Sequence, residues 1–195
     1  MKVFARTERG LVFTPIIIAF AICACFTGCL KQNPVSSELN VNLLQNPSFT
    51  INGVFSLQSW NESADSLIRS STDVPQNGGA YSVAITPGAG FVEGAIYQTI
   101  AAPAGSHVYN FSVWGKIQNA GGIVYINVLH YSPPSPPVII GGPAVSSPAW
   151  QEYYATDTIS ANIGDSIRIG LEADSTALGR NGQAYFNNCS FKEMQ

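Results

Sequence analysis

Charged residues are scarce in this sequence. They make up 11% of its 195 residues, whereas hydrophobic residues make up 46%. A disordered chain needs more charge and fewer apolar side chains, so this composition excludes one. Eighteen glycines and twelve prolines are too many for a helical protein, and they favour many short strands joined by turns.

The first 28 residues carry the pattern of an export signal. Three basic residues, the last of them Arg9, precede an apolar run over residues 11–26, and Phe26-Thr27-Gly28-Cys29 follows. A small residue directly before Cys at the end of such a run resembles the lipobox of bacterial lipoproteins, although Phe26 stands where Leu is usual. The resemblance implies that Cys29 becomes the acylated first residue of the mature chain. The alternative is a transmembrane anchor, for which this run is slightly short.

Acylation of Cys29 implies a lipid bilayer as one partner, because long acyl chains hold a soluble domain on a membrane. Residues 29–39 are polar with one proline and predict a short tether between lipid and domain. Leu30 differs from the Asp associated with retention at an inner membrane. We therefore expect a lipoprotein of the bacterial outer membrane or cell surface, with one folded domain over residues 40–195.

Basic residues and cysteines become rarer still once the signal is removed. The signal holds three of the nine basic and one of the twelve acidic residues, so the mature chain has a net charge of −5. No basic patch remains that would neutralise phosphates, which excludes nucleic acid as a partner. Cys189 is the one cysteine left besides Cys29, so we expect no intramolecular disulfide. Its apolar neighbours predict a small core residue.

Helical periodicity is also lacking after the signal. Breakers such as Asn52-Gly53, Pro87-Gly88 and the segment 119–122 separate segments of strand character. We predict strands near 41–45, 54–60, 66–71, 80–86, 94–101, 106–116, 122–131, 137–141, 150–159, 165–174 and 183–192. This pattern predicts an all-β protein, a two-sheet jelly-roll sandwich.

The clearest alternation runs over residues 107–116, where apolar and polar side chains take opposite faces. Its polar face carries Trp114. Sugars present apolar C–H faces and hydroxyls, so a sugar site needs aromatic rings beside donors and acceptors. By the same alternation the neighbouring strands contribute to this face, which predicts a ligand platform. Its residues are Trp114, Tyr125, Asn110, Ser112, Asn127, Arg168 and Glu172. The alternative is that a loop or the tether covers Trp114, which then only packs.

Several motifs resemble CenC-type carbohydrate-binding modules, which have a galactose-binding-like jelly roll. The resemblance spans residues 40–195, although each motif alone is short. It implies a domain that binds a polysaccharide or an oligosaccharide, and structural roles for Trp60 and Trp150. The motifs are Asn42 to Phe49 followed by Trp60, Tyr97 to Ile100 with Pro103 to Gly105, Phe111 to Lys116, Trp150 with Tyr153, and Ala184 to Ser190.

The resemblance also implies a possible structural calcium, since members of the family often bind one between their first and last strands. The acidic residues expected there are replaced by Thr50 and Asn187. Calcium prefers six to eight oxygens and gains much from carboxylates. Asn187 and Asn188 are the candidate ligands for such an ion.

Catalysis has little support. The motifs of serine hydrolases, zinc proteases and phosphate-binding loops are absent from the sequence. A pair drawn from Glu152, Asp157, Asp165, Glu172 and Asp174 is conceivable for a glycosidase, but acids on turns are normally solvated. We expect a non-catalytic lipoprotein that binds carbohydrate. The alternative is a structural β-sandwich that docks onto an envelope protein, with the proline-rich segment 131–137 at its rim.

Overall fold

The computed structural model describes residues 41–63, 67–86, 94–119, 121–130, 135–174 and 182–194. The predicted signal, Cys29 and the tether lie outside these ranges, as does most of the proline-rich segment. Within the described ranges, no helix has the length and apolar character needed to cross a membrane.

The described chain is built from β-strands, as predicted. The strands are β1 (Thr50–Ile51), β2 (Val54–Phe55), β3 (Asn61–Glu62), β4 (Ile68–Ser71), β5 (Ser82–Ile85), β6 (Gly94–Ala101), β7 (Gly105–Gln118), β8 (Gly121–Leu129), β9 (Val138–Ile139), β10 (Ala144–Val145), β11 (Gln151–Ala161), β12 (Ser166–Asp174) and β13 (Gln183–Met194).

Two antiparallel sheets form the sandwich. The six-stranded sheet has the order β10-β8-β12-β6-β3, with β9 also paired to β8, and the five-stranded sheet has the order β11-β7-β13-β5-β4. β1 and β2 form a separate hairpin. The predicted all-β two-sheet sandwich is confirmed.

The core lies between the two sheets and obeys the alternation of the sequence. Phe111 and Val113 of β7 and Ile167 and Ile169 of β12 are almost completely buried, and their sequence neighbours face outward. Cys189 is a buried free thiol within this core, as expected. The fold therefore depends on apolar burial rather than on a disulfide.

The predicted first strand, 41–45, is wrong. The segment lies along β13 but is held mainly by a side chain, because the Asn42 amide donates to the Cys189 carbonyl while its oxygen accepts from the Phe191 amide. Leu43 adds a backbone bond to the Phe191 carbonyl. A bulge in β13 between Asn187 and Ser190 interrupts the regular register here, so no ladder extends along the segment.

Candidate functional site

Two tyrosines face outward from the six-stranded sheet and share one row. Tyr125 of β8 and Tyr97 of β6 both pair with Gly170 of β12, which lies between them. Neighbouring strands lie about 4.8 Å apart, so the two tyrosine backbones are separated by about 10 Å. Asn61 of β3 extends the row beyond Tyr97.

Gly170 makes room for the Tyr125 ring. A Cβ added at Gly170 would lie 1.8 Å from Cζ and 2.3 Å from the hydroxyl oxygen of Tyr125. The ring therefore lies over the glycine, in space that any other residue at position 170 would fill. A glycine here leaves an aromatic ring lying across the middle strand of the sheet.

Arg168 occupies the next row on the same face. Its guanidinium carbon lies 4.4 Å from the centre of the Tyr97 ring, a cation–π contact. Asn127 of β8 pairs with Arg168 across the sheet. Arg168 Nε and Asn127 Oδ1 are both buried and have no hydrogen-bond partner within the described residues. Since buried polar groups are usually satisfied, a water or a ligand hydroxyl is the natural partner for each.

Tyr125, Asn127 and Arg168 line a shallow groove of about 400 Å³. Ile139 lies at one side of it and Glu172 at the other. The groove thus combines the aromatic ring of Tyr125 with charged and amide groups on one open face, which suits a ligand that has both apolar faces and hydroxyls. Its lining residues are Ser63, Ala95, Tyr125, Asn127, Ile139, Arg168 and Glu172.

The predicted single platform is wrong, because the structure divides its residues between opposite faces of the sandwich. Tyr125, Asn127, Arg168 and Glu172 lie together on the six-stranded sheet. Trp114 points away from the core on the five-stranded sheet, because β7 pairs with β11 and β13 rather than with β8. Two further residues of the prediction, Asn110 and Ser112, accompany it there.

The separation has a simple cause. β7 ends at Gln118 and β8 begins at Gly121, yet the two strands belong to different sheets. Alternation shows which side chains face outward from a strand, but it does not show which sheet the strand joins. Tyr97 was missed as a platform residue, although the alternation of β6 places it on the face opposite the buried Ile96 and Gln98.

The outer face of the five-stranded sheet is more open. Trp114 is half-buried, and Tyr154 of β11, opposite Ser112, is 74% exposed. Asn110 is already engaged, since its amide donates to the Thr156 hydroxyl. None of the described grooves includes Trp114, so this face is the weaker candidate.

Both remaining tryptophans have structural contacts. Trp60 is buried against Phe49. Trp150 donates from Nε1 to Asp73, which also accepts from Lys116. Burial raises the pKa of the Asp73 carboxyl, but the hydrogen bonds from Lys116 and Trp150 outweigh it and leave the pKa below its usual value.

A larger groove of about 650 Å³ adjoins this cluster at the end of β7. None of its lining residues is aromatic, and Lys116 is already paired with Asp73. It therefore lacks the stacking surface that the six-stranded sheet provides. Its lining residues are Lys116, Ile117, Gln118, Asn119 and Pro148.

The two predicted calcium ligands act as hydrogen-bond donors. The fully buried Asn187 donates from Nδ2 to the Tyr81 carbonyl at 2.5 Å, and Asn188 donates from Nδ2 to the Asn77 carbonyl at 3.2 Å. Asn187 Oδ1 is buried without a hydrogen-bond partner. The described residues nevertheless contain no group of three acidic, histidine or cysteine side chains that would hold a metal. Among the described residues Asn187 and Asn188 therefore have no cluster of carboxylates beside them, and two amides without such charged ligands fit calcium poorly.

The acidic residues considered for a glycosidase pair include one that is not solvated. Asp165 is 5% exposed and accepts from the Asn162 amide, with His130 Nδ1 at 3.3 Å. It closes the turn before β12, whereas Glu172 lines the groove on the outer face. The structure gives Asp165 a structural position, contrary to the expectation of a solvated acid.

No protein-family model and no curated protein matches the chain. Solved structures match it in fold. The family 61 carbohydrate-binding module TmCBM61, solved with β-1,4-galactotriose, is 18% identical with a TM-score of 0.50, and the match covers 79% of this chain and 99% of that one. The tandem CBM22-1-CBM22-2 domain of Paenibacillus barcinonensis Xyn10C is 12% identical with a TM-score of 0.55, covering 82% and 47%.

A third match is the enzymatically active domain of bacteriophage CBA120 tailspike protein 4. It is 14% identical with a TM-score of 0.55, and the match covers 79% of this chain. The chain spans only 22% of that tailspike protein's length. At these identities the likeness establishes the fold, a β-sandwich of the kind found in carbohydrate-binding modules.

Proposed function

We propose that this domain binds a polysaccharide or an oligosaccharide on the outer face of its six-stranded sheet. The observation that carries the proposal is the Tyr125 ring lying over Gly170, beside the pair formed by Tyr97 and Arg168. The C–H face of a sugar ring packs against an aromatic ring and buries apolar surface. Asn127 and Arg168 then offer an acceptor and a donor to the sugar hydroxyls.

The resemblance to CenC-type modules and the structural match to TmCBM61 support this assignment. The proposed role is non-catalytic capture. The proposal also includes acylation at Cys29, so that the domain is held on the outer membrane or surface of a bacterial cell. The support for anchoring is the order of features in residues 1–29, where basic residues are followed by an apolar run and then by a sequence that resembles a lipobox.

Affinity electrophoresis and pull-down against soluble and insoluble polysaccharides, with β-1,4-galactan and xylan included, test the saccharide proposal. We expect saturable binding to at least one of them. Tyr125→Ala should weaken it about tenfold or more, equivalent to about 1.4 kcal/mol, because it removes the ring over Gly170. Trp114→Ala is the matched control on the opposite face and should leave affinity within about twofold.

Either of two results contradicts the proposal. One is a folded domain that binds none of the polysaccharides. The other is binding that Trp114→Ala abolishes and Tyr125→Ala leaves intact, which would move the site to the five-stranded sheet. Circular dichroism of each variant establishes that the fold is retained.

A further inference from the structure

The described chain enters the sandwich at a defined end. The segment that begins at Val41 runs antiparallel to the last part of β13, since Leu43 donates to the Phe191 carbonyl and Cys189 donates to the Pro47 carbonyl. Val41 therefore lies toward the end of β13. We call this the tether end: here β13 ends at Met194, β7 begins at Gly105 and β11 ends at Ala161.

Several exposed apolar side chains lie at the tether end. Nine large hydrophobic residues of the described chain are exposed, and six of them lie within four residues of a strand end there or in an adjoining turn or segment, apart from Ile139 in the saccharide groove. Val108 and Met194 are direct cross-strand partners. The six are Val41, Leu43, Val108, Val138, Ile163 and Met194.

Ile163 is the most exposed of these, at 90%. It lies in the turn between β11 and β12, which Asp165 holds at both ends: the Asp165 amide donates to the Asn162 carbonyl, and its carboxylate accepts from the Asn162 amide. Gly164 provides the positive φ of 92° that the turn needs. The turn thus presents an apolar side chain at its tip on a fixed backbone.

Two acidic side chains at this end have histidine partners. His107 lies 2.7 Å from Glu193, and His130 lies 3.3 Å from the buried Asp165. Pairing reduces the cost of moving an acidic side chain toward a surface of low dielectric constant. The tether end is therefore apolar at its tip, and two of its carboxylates, Glu193 and Asp165, lie beside histidines.

We propose that the tether end rests on the lipid bilayer, with Ile163 inserted at the head-group boundary. The inference depends on the acylation proposed at Cys29. Residues 30–40 span at most about 40 Å when extended, so the lipid holds the domain close to the membrane. Contacts too weak to bind a free domain then suffice, because tethering raises their effective concentration. The saccharide groove lies on a side face and stays accessible.

The test uses the full acylated protein reconstituted into phosphatidylcholine vesicles. Nitroxide labels are placed singly at Ile163→Cys and at Gln118→Cys, an exposed residue at the opposite end of β7. Asn162→Cys provides a third label that keeps Ile163 in place. Cys189 is buried, and labelling of the unsubstituted protein measures its small contribution. Collision with oxygen and with a polar nickel reagent reports the surroundings of each label.

We expect the labels at 163 and 162 to collide more with oxygen than with nickel, and the label at 118 to show the reverse. Equal nickel access at 163 and 118 on vesicle-bound protein would overturn the proposal. Mass spectrometry and vesicle flotation report acylation separately. If mass spectrometry finds no acyl chain and the protein does not float with the vesicles, both the proposed anchor and the proposed docking are overturned. The proposal of saccharide binding is unaffected by that result.

Discussion

Gly170 is the residue on which the groove depends, and it gives the first prediction. Gly170→Ala places a Cβ where the Tyr125 ring lies, so the ring must swing away. Because a flexible side chain can move at small cost, we expect little loss of stability but at least about a tenfold loss of saccharide affinity. Titration calorimetry with a bound oligosaccharide measures the affinity.

A double-mutant cycle provides the control for this prediction. Once Tyr125→Ala has removed the ring, adding Gly170→Ala should change affinity no further. An additional loss in the double variant would mean that Gly170 acts through the strand backbone and not through Tyr125.

His107 gives a prediction on pH dependence. Hydrogen bonds to the Ala104 carbonyl and to the Glu193 carboxylate raise the pKa of its imidazole. Both partners accept, so the protonated ring satisfies both. A raised folded pKa stabilises the native state fully below the unfolded value of about 6.5, and this contribution disappears as pH rises through the folded pKa.

NMR titration of the His107 ring checks this expectation. The folded protein should titrate above 6.5, and Glu193→Gln should lower the His107 pKa while leaving other resonances in place. A His107 pKa at or below 6.5 would show that the two hydrogen bonds do not favour the protonated ring.

At the residue scale, the alternation in the sequence predicted which side chains face outward, but it did not predict which of them lie together. It placed Tyr125, Asn127, Arg168 and Glu172 outward, and the structure brings these four together. It also joined Trp114 to them, because both faces of a sandwich produce the same alternation. The choice between sheets depends on long-range pairing, which single-strand periodicity does not contain.

At the scale of elements, Asn187 stabilises the loop before β5. It is fully buried on β13 and donates to the Tyr81 carbonyl. Asn187→Ala leaves that carbonyl unpaired, and we expect a loss of about 1–3 kcal/mol in the free energy of unfolding. Asn188→Gly keeps a residue suited to the positive φ of 47° at this position and loses only an exposed bond to Asn77, so it should cost less than Asn187→Ala. Urea denaturation compares the two.

Chelation gives a separate test of the same element. The described residues do not complete a calcium site, so EDTA and added calcium should leave the melting temperature unchanged. A melting temperature that falls with EDTA and recovers with added calcium would contradict this prediction. It would show that a bound ion stabilises this region in addition to the hydrogen bonds of Asn187 and Asn188.

The long strands were predictable, whereas the two-residue strands β1, β3 and β10 were not. Strands β6, β7, β8, β11, β12 and β13 each hold eight or more residues, enough for alternation to identify them. Two-residue strands such as β3 and β10 contain no period and arise from pairing with a long neighbour. The prediction of a strand over residues 41–45 was wrong for a related reason. Hydrogen bonds from the Asn42 side chain take the place of part of the backbone ladder there.

At the scale of the whole molecule, one core between the sheets supports two different outer faces and an apolar end. Aromatic and β-branched side chains from β5, β6, β7, β8, β12 and β13 fill this core. Because the core lies between the sheets, substitutions of exposed side chains on the outer faces should alter binding with little effect on folding. The grooved face and the tether end are therefore separable by mutation, as the proposals above require.

Cys189 reports on the integrity of this whole structure. It is buried beside Asn42 and Phe191, and burial raises the pKa of its thiol. A thiol reagent needs an exposed thiolate, so we expect labelling only after the sandwich opens. The labelling rate should follow the global free energy of unfolding across a urea series, and Asn187→Ala should accelerate it by the factor that its loss of stability predicts. Rapid labelling in native buffer, with β-structure retained, would show instead that the segment along β13 opens independently of the core.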